Sequence, residues 1–144
     1  MKEFKRQMES PEAHKRYLAV VHGAPDWSQQ TVHAPIGLVD ERSLGVHPDG
    51  KSAHSEFQVL SRGSDAALVE ARIFTGRTHQ IRIHLAHLGH PLIGEGWYRD
   101  PPSREHPRQA LHAWKMALET LTREAPVPGE LRALMRARSL QWSP

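Results

Sequence analysis

Residues 75–84 read Thr75-Gly76-Arg77-Thr78-His79-Gln80-Ile81-Arg82-Ile83-His84 and carry the densest chemistry of the chain. The pattern predicts that a strand ends, that Gly76 lets the backbone turn, and that a helix follows with Thr78 as its N-cap. Apolar residues then recur at helical spacing, at Ile81, Leu85 and Leu88. Gly89 predicts the end of the helix, and Pro91 just beyond it supports that end.

The start of this predicted helix gathers polar side chains. Arg77, His79 and Gln80 cluster where free backbone N–H groups favour an anion, and phosphate is the natural occupant. Arg82 lies one turn further on and flanks Ile81, so we expect it to be partly buried and to need an acidic partner. The alternative interpretation is an ordinary capped helix whose charges are solvated, and for a stretch of this kind taken alone it is favoured.

The rest of the chain mixes strands and helices. Ser55 to Leu60 and Ala67 to Phe74 alternate in polarity and predict a hairpin. Further elements are predicted as a buried strand at Tyr17 to Val21, a short strand around Val32 to Leu38, and a helix at about Glu130 to Arg138. Ala110 to Leu118 is ambiguous between strand and helix. The predicted fold class is therefore α+β, with a mixed, mainly antiparallel sheet and flanking helices.

Composition narrows the classes of function. The 144 residues hold no cysteine, which excludes disulfides, thiolate metal sites and a cysteine nucleophile. There is neither an apolar run long enough to cross a membrane nor an N-terminal signal segment, so we expect a cytoplasmic protein that is not a membrane protein. The formal charge is +3, with a pI near 9.6. Fourteen arginines against five lysines modestly favour a phosphate-bearing partner.

Histidines raise the question of a metal. His84 and His87 are helical neighbours, and His79 and His90 lie close in sequence. However, the chain has no HExxH motif, and the predicted helix carries no carboxylate. Histidines held by ordinary hydrogen bonds are the favoured interpretation, and a metal-binding or scaffold protein is a minor alternative.

Several ordered motifs together resemble the RluA-type pseudouridine synthases. Residues 75–82 match the family's C-terminal signature, and His84, the segment Gly89-His90-Pro91-Leu92-Ile93-Gly94 and Tyr98 continue it. Lys15 to Gly23 resembles the family's Lys-x-Tyr-x-Ala-x-Val-x-Gly segment. Gly50 to Ser55 resembles its Gly-Lys-x-Ala-x-Thr, with Ser55 in place of threonine. The resemblance covers roughly residues 15 to 135. It implies a polar segment at 1–14, the C-terminal part of a catalytic domain at 15–138, and a tail at 139–144.

The resemblance implies a specific chemistry. These enzymes isomerise uridine in ribosomal or transfer RNA, and they use no metal and no cofactor. The target nucleotide is flipped into the pocket, where a catalytic aspartate acts as nucleophile. Tyr17 corresponds to the tyrosine that stacks on the flipped base, and Arg82 to the arginine that pairs with the aspartate. We expect RNA contacts at four residues: Lys15, Arg77, His79 and Gln80.

One motif of the family is absent from these residues. The nucleophilic aspartate belongs to a His-Arg-Leu-Asp motif before the Lys-x-Tyr segment, and no such motif occurs here. The five aspartates are Asp26, Asp40, Asp49, Asp65 and Asp100. Glu95 stands where the family usually has aspartate. We therefore expect an incomplete catalytic domain, and the alternative is an inactive RNA-binding remnant.

The missing part has predicted structural consequences. In the family it contributes strands to the same sheet, so we expect uncovered edges and apolar faces. These would call for self-association or a partner chain. We also expect Arg82 to be exposed or to pair with a substitute acid, because an unpaired buried arginine is costly.

Overall fold

The computed structural model describes residues 14–98, 102–103, 109–118, 121–124 and 127–141. The predicted N-terminal polar segment, most of a loop at 99–107 and the end of the tail lie outside these residues. The elements are β1 (His14–His22), β2 (Gln29–Val32), β3 (Ile36–Leu38), β4 (Leu44–Val46), β5 (Ser55–Arg62), β6 (Ala66–Ile73), α1 (Gln80–His87), β7 (Leu111–Leu118), β8 (Leu121–Glu124) and α2 (Gly129–Ala137).

Six of the strands form one sheet in the order β2-β5-β6-β1-β7-β8. All pairings between the described strands are antiparallel. The predicted α+β class is confirmed, and the ambiguous segment at 110–118 is a strand. The predicted strand at 17–21, the hairpin at 55–74 and the last helix are also present.

Strand β1 lies in the middle of the sheet and supplies both halves of the core. Leu18 and Val20 pack on the face that α2 covers. Ala19 and Val21 pack on the opposite face, against Ile81 of α1 and its neighbours. Successive side chains of a strand point to opposite faces, so this alternation places one helix on each side of the sheet.

Helix α1 begins later than predicted. Its N-cap is His79, whose φ of 56° lies in the left-handed region, and no side chain caps the helix. The prediction that Thr78 caps the helix is therefore wrong, because the chain bends at His79. Gly89 has φ +86° beyond the helix end, as the predicted stop requires. With eight residues, α1 is too short to be stable alone and depends on packing.

The single strand predicted at 32–38 is two strands, β2 and β3. Pro35 falls between them and has no N–H to continue a ladder. Strand β3 pairs with β4 in a separate hairpin. Ile36 of this hairpin packs with Ile83, on the side of α1 that faces away from the main sheet. The β3–β4 hairpin therefore packs beside the start of α1, on the side away from the main sheet.

The outer edges of β2 and β8 have no strand partner within the described parts of the chain. The strand edges expected to lie open are thus those of β2 and β8. In the part of the chain that the structure describes, three large apolar residues are exposed: Leu38, Val39 and Trp97. Among the described residues, no helix is long and apolar enough to cross a membrane.

Candidate active site around Arg82

Arg82 is the centre of the most organised polar cluster. Its Nε donates to Oε1 of Glu95 at 2.9 Å, and its Nη2 donates to Oε2 at 2.7 Å. The side chain of Arg82 is 11% exposed and that of Glu95 is fully buried. The prediction that Arg82 pairs with a substitute acid is confirmed, and Glu95 is that acid.

Backbone groups complete the shell around Glu95. Its Oε2 also accepts the N–H groups of Trp97 at 2.9 Å and Tyr98 at 3.3 Å. Burial alone would raise the pKa of Glu95, but the hydrogen bonds from Arg82 and from these N–H groups hold it below its ordinary value. The bond to Glu95 in turn raises the pKa of Arg82. Both groups therefore stay charged at neutral pH, and the 95–98 turn is locked to α1.

An aromatic cleft opens beside this pair. The guanidinium carbon of Arg82 lies 5.2 Å from the ring centroids of both Trp97 and Tyr98. The Tyr98 hydroxyl lies 2.9 Å from Nδ1 of His79. The cleft has a volume of about 670 Å³ and is lined by Val39, Arg42, Ser43, Leu44, His79, Gly96, Trp97 and Tyr98. This volume falls in the range of small-ligand sites.

A second cavity of about 450 Å³ adjoins the aromatic cleft. Leu44 lines both cavities, and the turn before α1 runs past both, with Thr78 on one and His79 on the other. Lys51 and Arg77 supply positive charge to the second cavity. The Arg77 guanidinium is steadied by a 2.8 Å bond from its Nε to the carbonyl of Ser52. We call this second space the basic cavity.

Gln80 does not lie where sequence reasoning placed it. Its side chain is buried, so it is not open to RNA as an anion contact, and the expectation of a direct RNA contact is wrong. Its Nε2 donates to the carbonyl of His54 and to Oγ of Ser55, both at 2.9 Å. Its Oε1 accepts from the Thr75 hydroxyl and the Arg77 N–H. Gln80 therefore holds the turn in shape from inside.

The fully buried His84 continues this network. Its Nε2 lies 2.8 Å from the carbonyl of Ala34, which can only accept a hydrogen bond, so Nε2 carries the proton. Burial lowers the pKa of His84, and the ring is neutral at pH 7. Its Nδ1 then accepts from the Ser55 hydroxyl at 2.9 Å. Both ring nitrogens are engaged, and the described residues contain no group of three or more side chains fit to hold a metal.

Tyr17 and Lys15 lie on β1, and neither is among the residues that line the aromatic cleft or the basic cavity. Tyr17 packs with the cluster that includes Ile81, so it shares a sheet face with α1. The register against β7 shifts between Arg16 and Tyr17. Lys15 lies opposite Ile73 of that same cluster. Burial raises the pKa of Tyr17, so its phenol is protonated at neutral pH.

Asp40 lies at the tip of the β3–β4 hairpin, next to the rim of the aromatic cleft. Its Oδ1 accepts the N–H groups of Arg42 and Ser43, each at 2.9 Å. These bonds lower its pKa. Asp40 is exposed and closes the hairpin turn. Sequence reasoning missed Arg42 and Trp97, although Trp97 directly precedes Tyr98 of the quoted motif.

Comparisons with known proteins identify the family of this chain. The family described as RNA pseudouridylate synthase matches residues 1–87. An uncharacterized RNA pseudouridine synthase of Bacillus subtilis, YlyB, is 40% identical over 129 residues, which cover 84% of this chain and 43% of that protein. The ribosomal large subunit pseudouridine synthase D of Nitrosomonas europaea is 36% identical, over 92% of this chain and 43% of that protein.

Two solved structures have a fold similar to that of this chain. Human RNA Pseudouridylate Synthase Domain Containing 1 matches with a TM-score of 0.73 and 25% identity, covering 88% of this chain and 59% of that one. Human RNA Pseudouridylate Synthase Domain Containing 4 has a TM-score of 0.79 at 22% identity, over 98% of this chain and 67% of that one. The chain belongs to the RNA pseudouridylate synthase family. It spans less than half the length of the curated relatives described above.

Proposed function

We propose that this chain forms the C-terminal part of the catalytic domain of an RNA pseudouridine synthase that acts on structured ribosomal or transfer RNA in the cytoplasm. The supporting observation is the Arg82–Glu95 pair, whose guanidinium lies against the rings of Trp97 and Tyr98. Those two rings line a ligand-sized cleft that Arg42 also lines. Tyr17 reaches the same face of the sheet. Family membership supplies the reaction class.

The proposed reaction moves one bond. The N1–C1′ glycosidic bond of uridine breaks and a C5–C1′ bond forms. The proton on C5 leaves and N1 takes up a proton, so that the product is an isomer of the substrate. Tyr17 is proposed to stack on the flipped base. Because its phenol is protonated at rest, stacking and hydrogen-bond donation suit it better than taking a proton.

Glu95 does not supply the nucleophile of this reaction. Arg82 already has a carboxylate partner in Glu95, and that carboxylate is fully buried, so it cannot attack a nucleotide. We propose that the nucleophilic aspartate comes from a family segment outside these 144 residues, on the same chain or on a partner chain. By themselves the 144 residues are then an RNA-binding unit without isomerase activity, which is the second candidate function.

Tritium release from RNA labelled at C5 of uridine separates the two functions. The 144-residue chain alone is expected to release none. Release is expected when the part of the Bacillus subtilis relative that this chain does not match is added, and it is expected to be lost when the chain carries Tyr17→Phe or Arg82→Lys. Release by the chain alone would place the nucleophile within it, and Asp40→Asn would be the first variant to assay.

RNA binding itself is tested by its salt dependence. Arg77→Gln removes one cation from the basic cavity, so the slope of log K against log salt for single-stranded RNA is expected to fall by about 0.7. Arg136→Gln is the matched control, because Arg136 is exposed on α2, the helix on the other face of the sheet. If both variants lower the salt slope equally, RNA binding depends on the overall charge of the chain and not on a defined site.

A further inference from the structure

Trp97 has the highest exposed fraction of the large apolar side chains in the described residues, at 74%. Its backbone does not share this freedom, because its N–H is bound to the buried carboxylate of Glu95. An exposed indole on a fixed backbone loses little conformational freedom when a ligand covers it. It is therefore a preorganised contact surface.

The surroundings of the indole leave surface open to a ligand. The guanidinium of Arg82 lies over the ring at 5.2 Å from its centroid. The ring of His79 meets it edge-on, with centroids 5.3 Å apart and planes at 66°. With 74% of the residue in solvent, these two contacts leave most of the ring surface free for a flat partner.

The charges around the cleft indicate which partner fits. Besides His79, the lining residues of the aromatic cleft include one charged side chain, Arg42, which is a cation at the rim. Lys51 and Arg77 outnumber Asp49 in the adjoining basic cavity. A π-surface beside a cationic track is the arrangement that binds single-stranded nucleic acid, whose bases stack while its phosphates follow the positive charge.

We infer that Trp97 is a stacking platform for a base of single-stranded RNA, with the backbone of the same RNA passing towards Lys51 and Arg77. This inference rests on the proposed function and adds to it a residue that selects unpaired over paired substrate. Bases in a loop or bulge are free to stack on a protein ring, whereas bases inside a helix are not.

Fluorescence anisotropy tests this with end-labelled octauridine and the same octamer in which two central residues lack their bases. The 144-residue chain is expected to bind octauridine more tightly than the abasic octamer. Trp97→Ala is expected to weaken octauridine binding by about 5- to 150-fold, the loss typical of one stacked base, and to leave abasic binding unchanged. Trp97→Phe retains most of the affinity, and Trp97→Leu behaves like Trp97→Ala.

Arg136→Gln is the control. Arg136 is exposed on α2, on the other face of the sheet, and lines neither the aromatic cleft nor the basic cavity. It is expected to leave the ratio of octauridine to abasic affinity at its native value. Because both side chains are exposed, each variant is expected to fold as the native chain does. Urea denaturation of each variant checks this.

Three results would overturn the inference. If Trp97→Ala weakens both RNAs equally, the indole does not stack on a base. If the native chain prefers octauridine and Trp97→Ala leaves that preference intact, stacking occurs elsewhere and the proposed function survives. If sedimentation shows a dimer that Trp97→Ala abolishes, the indole belongs to a second copy of the chain. Failure of the native chain to bind either RNA would remove the proposed RNA binding as well.

Discussion

The carboxylate of Glu95 meets the guanidinium of Arg82 at two points, with N–O distances of 2.9 and 2.7 Å, and both side chains are buried. Glu95→Gln keeps the shape but leaves the arginine charge unpaired. Since breaking one side of a buried pair costs about 3–5 kcal/mol, we expect a loss of this order in the free energy of unfolding. Urea denaturation at pH 7 measures it.

Glu95→Asp is the conservative control, because the family usually has aspartate at this position. It restores the charge on a shorter side chain, so the loss is expected to be smaller than for Glu95→Gln. A loss below about 1 kcal/mol for Glu95→Gln would mean that the pair is solvated and contributes as little as a surface pair does.

Gln80 is expected to act through stability and not through RNA contact. Gln80→Ala leaves the Thr75 hydroxyl and the Arg77 N–H without their acceptor in a partly buried setting, which costs about 1–3 kcal/mol for each buried group left unpaired. Denaturation measures the loss. The salt slope of RNA binding, taken under conditions where the variant is folded, is expected to stay at the native value. A drop in that slope would restore Gln80 as an RNA contact.

Two histidines are expected to make the fold sensitive to mild acid. Burial lowers the pKa of His84, and burial together with the Arg82 charge lowers the pKa of His79, although Glu95 opposes this. Protonation therefore favours the unfolded chain. The stability present above the unfolded-state pKa of about 6.5 is lost as pH falls from there towards the folded-state values.

Urea midpoints between pH 7.5 and 5.5 measure this loss. The carboxylates with lowered pKa, Glu95 and Asp40, act at lower pH and stay out of this window. His84→Gln is expected to be less stable at pH 7.5 but to change less on acidification. An unchanged pH slope in that variant would show that His84 is not the titrating group.

Substitutions at two glycines test whether the position of the β3–β4 hairpin beside α1 matters for the site. A Cβ on Gly50 would lie 2.4 Å from the carbonyl carbon of Ile36, so Gly50→Ala must push β3 away from its place. We expect lower stability and weaker RNA binding. Gly76→Ala is the control, because a Cβ there meets nothing within 4 Å. Equal stability of the two variants would mean that the hairpin position is adjustable.

Much of the fold follows from local pattern. The alternation in β6, the apolar run at residues 17–21 and the glycine after α1 each predict their element, because each signal acts within a few residues. The need of Arg82 for an acid also follows from its place between apolar neighbours. Glu95 stands where the family usually has aspartate, but the sequence does not reveal its role as that acid, because the contact with Arg82 spans 13 residues and a turn.

The two wrong predictions, for Gln80 and for Thr78, have a different cause. Gln80 looks like a surface residue at a helix start, but its partners, His54 and Ser55, are 26 and 25 residues away. Thr78 has the right chemistry for a cap, yet the bend at His79 prevents it. Local propensity is a weak signal where tertiary contacts set the backbone. The roles of Trp97 and Arg42 depend on the cleft, which exists only after the hairpin packs on α1.

The central place of β1 has a consequence for biosynthesis. Its two neighbours, β6 and β7, start about 50 and 100 residues later, so its pairings have a high contact order. At about 5–20 residues per second, the ribosome needs roughly 5–20 s to supply both partners. During that time β1 is an apolar segment with open edges, exposed to aggregation and to chaperones. The sheet closes only once β7 and β8 have been made, so a ribosome that stalls before β7 leaves the middle strand half paired.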